Sequence, residues 1–261
     1  MLELRQVSLL RQGKTLVQPV SLQADLGQLC AILGPNGAGK SSLLQLMSGY
    51  QPASSGSVIL DGQDIATQTP AWLACRRAVV EQHPACPEGW CVSELLATAV
   101  YLAAPGQGAA AIRQAVALSH CSDLIARRLE TLSGGELQRV HLARALCQLL
   151  ASTQTARYLL LDEATSALDF AMADAMMTQL RRIARELNIG VVAVMHDLNL
   201  ALRHADQVLL LRDGCGMAFG KTADIMQKQR LEAIYGIRLA ELISPDASIR
   251  AFVPHPPPEQ G

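Results

Sequence analysis

Gly34, Gly39, Lys40 and Ser41 stand in the order G-x-x-x-x-G-K-S within the stretch AILGPNGAGKSSLLQL. Glycines so placed let the backbone curl until successive N–H groups face inward, and a helix starting at once adds the positive end of its dipole. Such a loop holds phosphate. Lys40 would reach the β- and γ-phosphates of a nucleotide, and the Ser41 hydroxyl would ligate Mg²⁺. A loop that only turned the chain has no use for a lysine and two serines at its far end.

Further candidates stand at the ends of apolar runs. YLLLDE puts Asp162 and Glu163 where a buried parallel strand presents its C-terminal edge to a ligand. There Asp162 would hold Mg²⁺ through water and Glu163 would polarise the attacking water. Alone, two acids after a strand mark only a strand meeting solvent; beside a phosphate loop they read as a hydrolytic pair. His196 closes VVAVMH and would emerge on the same edge, within bonding reach of the γ-phosphate, although a lone histidine there is as readily structural. Gln82 ends RRAVVEQ by the same argument and carries no weight by itself. In TLSGGELQRVHLARAL, Ser133 precedes Glu136 at capping-box spacing, with Gly134 and Gly135 in the first turn. A well-capped helix accounts for that pattern, yet a helix N-terminus carrying a serine and a glycine pair is also an anion site.

Positioning these residues requires strands alternating with helices, hence an α/β fold. Strands are expected in MLELRQVSL, SLQADL, LCAIL, GSVIL, RRAVVEQ, RYLLLDE, GVVAVMHD and QVLLLRDG. A helix is expected from Ser41 until Gly49 ends it, and another from Ala171 to Leu187 with Met176, Leu180, Ile183 and Leu187 on one stripe. Residues 83–157 are rich in alanine and leucine, with helical periods and no convincing strand, and read as a mainly helical insert. The tail from Gly236 ends in PHPPPEQG, which cannot be helical and is expected to be loose.

Composition narrows the classes. A net charge of -1 offers no basic footprint for nucleic acid, and three phenylalanines with four tyrosines leave few stacking platforms. No apolar run is long enough to span a bilayer. The N-terminus has no basic segment followed by an apolar core, so no secretory signal is expected and a cytosolic protein is. The seven cysteines form no C-x-x-C pair, which in that compartment reads as reduced, mostly packed thiols.

Together these motifs resemble the ATP-binding cassette, the motor subunit of membrane transporters. GPNGAGKSS resembles the Walker A segment, Gln82 the Q-loop, LSGGE the signature, YLLLDE the Walker B strand, SALD at 166–169 the D-loop and His196 the switch histidine. The likeness covers residues 1–235: an ATPase core over 1–82 and 158–235 and a helical subdomain over 83–157, leaving 236–261 as a tail.

The resemblance implies catalytic roles for Glu163, His196 and Gln82, and Mg²⁺ held by Ser41, Gln82 and Asp162. It implies ATP bound by Gly34, Pro35, Asn36, Gly37, Ala38, Gly39, Lys40, Ser41 and Ser42, and, across a head-to-tail homodimer, by Ser133, Gly134, Gly135 and Asp169. The implied partners are two permease subunits at the cytoplasmic face of the inner membrane, gripped through the helical insert, and a periplasmic binding protein. LMSGY, CVSELL, MHDLNLALRHAD and the extra ASTQTA after the signature helix resemble importers of the iron-chelate and cobalamin group, nearest to the haem importers. A soluble ATP switch of the same fold is the alternative, but such relatives carry tandem cassettes or a long coiled-coil insertion, and this chain has neither.

Two residues depart from the family pattern. Ala164 stands where proline usually follows the catalytic glutamate, and Arg11 where most relatives place an aromatic that stacks on adenine. Either the Arg11 guanidinium covers the base, or it points to solvent and the phosphates carry the affinity. Cys86 before Pro87, with His83 nearby, is a possible haem ligand pair, against which stands that an importer's cargo passes through the permease.

Overall fold

The structure, a computed structural model, describes residues 1–255 apart from 83, 85, 164, 167, 247 and 248. The chain opens with an antiparallel hairpin, β1 (Leu2–Arg11) and β2 (Lys14–Ala24). Next come β3 (Leu29–Leu33), the phosphate-loop helix α1 (Lys40–Ser48), β4 (Ser55–Leu60) and the short β5 (Gln63–Asp64). α2 (Pro70–Ala74) and β6 (Arg77–Val80) follow, then α3 (Val92–Thr98), α4 (Gln107–Leu118) and α5 (Gly134–Leu150). β7 (Tyr158–Asp162), α6 (Phe170–Leu187), β8 (Gly190–Val194), α7 (Leu198–His204) and β9 (Gln207–Arg212) complete the alternation. β10 (Cys215–Lys221), α8 (Thr222–Ile225), α9 (Lys228–Tyr235), β11 (Leu239–Ile243) and β12 (Arg250–Pro254) close the chain.

A six-stranded sheet in the order β10-β9-β3-β8-β7-β6 forms the centre, parallel except where β10 runs against β9. Its inner strands β3 and β8 carry no polar side chain, and β7 and β9 are polar only at their ends, because both faces are covered. Leu29, Ala31 and Leu33 of β3 face one core, shared with α3, α4, α5, α6 and α7, while Cys30 and Ile32 face a second core shared with α1 and the hairpin sheet. β7, β8 and β9 divide their side chains between the same two cores. The second sheet, β2-β1-β4-β5, is antiparallel. Within the stretch expected to be a helical insert, α5 is fastened to the central sheet: Gln148 donates to the carbonyls of Ala74 and Arg77, 2.8 Å each.

The expected elements appear with shifts at their ends. α1 stops where Gly49 turns left-handed at φ 73°. α6 starts one residue earlier than expected because Asp169 caps it, accepting from the Met172 N–H at 2.8 Å. β2 is longer than SLQADL, since Pro19 sits on an edge strand, where a missing donor is tolerated. The tail is the main correction. β11 and β12 pair as a hairpin, Glu241 opposite Phe252, and Phe252 is buried in the core, so these two strands are part of the packed fold and Pro254 ends β12. The last six residues of PHPPPEQG lie outside the described residues. The cysteines are free thiols, with Cys30, Cys121 and Cys147 buried, and burial pushes Cys30 and Cys147 up to about 12.

Candidate functional site

The carboxyl ends of β3, β7 and β8 open on a cleft of about 820 Å³. Its floor is the loop from Asn36 to Ser42; Gln82, Glu163 and His196 stand at one end, and Lys14, Thr15, Leu16, Asp213 and Gly214 at the other. The loop's shape depends on its glycines. A Cβ on Gly34 would lie 2.2 Å from the Leu211 carbonyl oxygen, and one on Gly39, at φ +96°, would lie 2.7 Å from that of Leu16. Neighbouring backbone therefore presses on the loop from beneath, and only glycine fits.

Lys40 is 5% exposed, and its Nζ donates to the carbonyls of Gly34 and Pro35 at 2.9 and 3.0 Å. Burial lowers its pKa, an effect opposed by the charges of Glu163 and Asp162. The ammonium thus sits at the floor of the cleft with two carboxylates in its field. The Ser41 hydroxyl donates to Asp162 Oδ1 at 2.9 Å. Burial raises Asp162 above the ordinary carboxylate range, and the Ser41 bond works the other way.

Glu163 is held from both sides. Gln82 Nε2 donates to its Oε2 at 2.6 Å, and His196 Nε2 pairs with its Oε1. Its backbone is left-handed, φ 52°, a conformation that a non-glycine residue keeps only when its surroundings enforce it. The carboxylate is therefore aimed, with one oxygen for each neighbour.

A hydroxyl and a carboxylate within hydrogen-bond distance are hard oxygen donors, and among the described residues no cluster of three or more His, Cys, Asp or Glu forms a metal cage. A cation there would complete its shell from water and substrate oxygens, which is how Mg²⁺ is commonly bound.

Ser133, Gly134, Gly135, Asp169 and Arg11 do not line this cleft. The capping box at Ser133 is formed: Glu136 N–H donates to its Oγ at 3.3 Å, and its own N–H donates to Glu136 Oε2 at 2.8 Å. The starts of α5 and α6 adjoin, since a Cβ on Gly135 would lie 2.6 Å from Met172 Cε and 3.3 Å from Leu168 Cδ2. Ser133 to Gly135 and the Asp169 cap thus form a second group of helix N-termini. Arg11 is exposed at the end of β1, paired with Lys14, and the wall of the cleft is built instead by Lys14, Thr15 and Leu16.

That wall and the Asp213–Gly214 turn were not legible as site residues. The turn signal RDG is visible between strands, but its partners are not: Gly214 N–H donates to Ala38 O at 3.0 Å and Gln18 N–H to Gly214 O at 2.8 Å, stitching the turn between β2 and the phosphate loop. Ala164, Ala167 and His83 lie outside the described residues. Cys86 is exposed, and its sulfur lies 3.8 Å from Nε2 of His141, a buried histidine that the motifs did not single out.

A family model described as ABC transporter matches residues 17–166. The hemin import ATP-binding proteins HmuV of Burkholderia pseudomallei and Burkholderia mallei are each 36% identical to the chain, with 94% of the chain and 96% of the relative covered. Among solved structures, a chain of an inward-facing ABC transporter described as of the metal-chelate type matches with a TM-score of 0.81 at 25% identity, over 98% of this chain and 97% of its own. The dimeric bacterial ABC transporter cassette MJ0796 shares the fold, with a TM-score of 0.73 at 24% identity over 85% and 99%.

Proposed function

The chain belongs to the ABC transporter family, and on that premise we propose that it is the ATP-hydrolysing motor of an importer whose cargo is haem. One observation carries the chemistry: Gln82 and His196 converge on the two oxygens of Glu163, beside a Ser41–Asp162 pair and a glycine-built phosphate loop. The cargo reading is supported by the 36% identity to hemin import ATP-binding proteins along nearly the whole chain.

The loop from Gly34 to Ser42 would hold the triphosphate by its backbone N–H groups, with Lys40 turning from the Gly34 and Pro35 carbonyls to the phosphate oxygens. Ser41, Asp162 and Gln82 would hold Mg²⁺, which when bound neutralises phosphate charge. Glu163 would accept the proton of the attacking water, and His196 and Gln82 would keep its carboxylate turned toward the phosphate chain.

We infer further that two copies pair head to tail, so that Ser133 to Gly135 of one chain close over the phosphate loop of the other and Asp169 touches the partner. The exposed second group of helix N-termini, outside the cleft, favours this arrangement. No helix among the described residues is long and apolar enough to cross a membrane, so membrane association would come through two permease subunits at the cytoplasmic face of the inner membrane. A periplasmic binding protein would deliver cargo to them. Residues 83–157 are the helical subdomain proposed to grip the permease.

The match to a metal-chelate type transporter over 98% of the chain favours siderophore-bound iron or cobalamin as the second reading. The test is purification of the tagged chain from membranes with its associated subunits, followed by ATPase assay with binding protein carrying haem, a ferric siderophore or cobalamin. Stimulation by haem alone is expected. Stimulation by another chelate transfers the cargo, and recovery with ribosomes in the soluble fraction sinks the importer reading.

A further inference from the structure

Helix α7 starts two residues after His196, and at seven residues it is too short to fix its own direction. Asp197 caps it, its Oδ1 accepting from the N–H groups of Asn199 and Leu200 at 2.8 and 2.9 Å. Its far end is held by α6: Asp174 Oδ1 lies 2.8 Å from His204 Nε2 and accepts from Arg203 Nη1 at 2.6 Å. The end nearest His196 is held differently. The Asn199 side chain accepts from the Phe252 N–H at 2.7 Å and donates to the Phe252 carbonyl at 3.0 Å. That reciprocal pair is what a neighbouring strand would offer, so one amide side chain stands in for a ladder partner on β12.

The anchor is itself fixed. Phe252 is 3% exposed in the core that contains Leu231, Ile234 and Leu239, and Arg250 Nε donates to Glu241 Oε1 at 2.6 Å across the hairpin. His196, by contrast, has a side chain 41% exposed, so packing does little to place it. Its backbone runs from Met195, which is 2% exposed and donates its N–H to the Ile32 carbonyl at 3.1 Å, into the cap and first turn of α7.

We propose that Asn199 is a positioning residue for hydrolysis: by tying the first turn of α7 to the C-terminal hairpin it sets where the His196 imidazole meets Glu163. This rests on the ATPase reading above. It makes β11 and β12 part of the hydrolytic apparatus, although neither strand reaches the cleft.

The experiment measures kcat and KM for ATP with the full chain. Asn199→Ala leaves both Phe252 backbone groups without their partner and is expected to lower kcat about tenfold or more, the scale of a small misplacement at a reacting group. KM should change less than about twofold, because the phosphate loop is untouched. Asn199→Gln, which keeps both bonding functions, should recover most of kcat. Asn199→Asp, which keeps only the acceptor, should fall between, and it serves if the alanine variant does not fold. In a His196→Ala background, Asn199→Ala should lower kcat no further, since the group it positions is gone. Wild-type kcat in Asn199→Ala, or an equal loss with and without His196, overturns the proposal. A folded wild-type chain without ATPase activity overturns the ATPase reading and the positioning role together, whereas an active wild type with an unaffected Asn199→Ala overturns only the latter.

Discussion

Ser41 and Asp162, 121 positions apart in sequence, are joined by a hydrogen bond of 2.9 Å from hydroxyl to carboxylate. One residue lies in the first turn of α1 and the other closes β7, so the bond brings the phosphate loop and the central sheet together at the point where a cation would bind. Asp162→Asn keeps the acceptor and removes the charge. It is expected to raise the Mg²⁺ concentration for half-maximal ATPase about 10- to 100-fold, the usual effect of disturbing a metal's supporting groups. Metal titration at saturating ATP checks this; an unchanged midpoint would remove Asp162 from the metal site.

Glu163→Gln preserves shape and the reach to Gln82 and His196 but cannot take a proton. Hydrolysis should fall by about a hundredfold or more, the scale of general-base catalysis, with nucleotide affinity retained. Single-turnover hydrolysis alongside equilibrium binding separates the two. Near-normal turnover would mean that water is activated elsewhere.

Lys40→Ala and Ser133→Arg address the composite site. Each alone should abolish activity, the first by removing the fixed cation and the second by blocking the signature end. Mixing the two variants should form heterodimers in which both defects fall in one site and the other site is intact. Activity above either variant alone is expected, and mixtures no better than their components would count against assembly in trans.

His141 sets a pH limit on stability. Burial, then the charge of Arg144, pushes its pKa down to about 4 from an ordinary 6.5. The folded protein therefore binds fewer protons than the unfolded chain between those values, and stability is lost as pH falls through that window. The cost is about 2 kcal/mol on going from pH 7.5 to pH 5. Urea unfolding at the two pH values should show it, and His141→Gln should remove that part of the loss. Equal pH dependence in both proteins would assign the acid sensitivity to other groups.

Much of the sheet and the Glu163 end of the cleft was legible because β7 and β8 each carry an apolar run that leads to a polar residue at one common edge. β3, β7 and β8 are buried on both faces, and a fully buried valine or leucine contributes about 1.5–3 kcal/mol, so selection for apolar residues is strong. The opposite end of the cleft was not legible. Lys14, Leu16 and Gly214 reach it only through the pairing of β2 with β1 and the stitching of the Gly214 turn to Ala38 and Gln18, contacts with no local signature. Arg11, at the position where the family pattern has an aromatic, is not among the residues that line the cleft. The hairpin of β11 and β12 had no clear signal because only Leu239 and Phe252 of its strand residues are buried and its inner face is completed by Asn199, a polar residue on a distant helix.

The division of β3 between two cores also has a consequence in time. Amides of a strand whose neighbours on both sides and both faces are native can meet solvent only when the whole domain opens, whereas a two-stranded hairpin held by one face and by the side chains of Asn199 and Glu232 opens as a smaller unit at lower free energy. Hydrogen exchange should therefore run slowest through β3, β8 and β7 and faster through β11 and β12. The strands beneath the cleft and the segment that sets His196 then keep separate clocks, the first tied to the lifetime of the fold and the second able to tick many times within it.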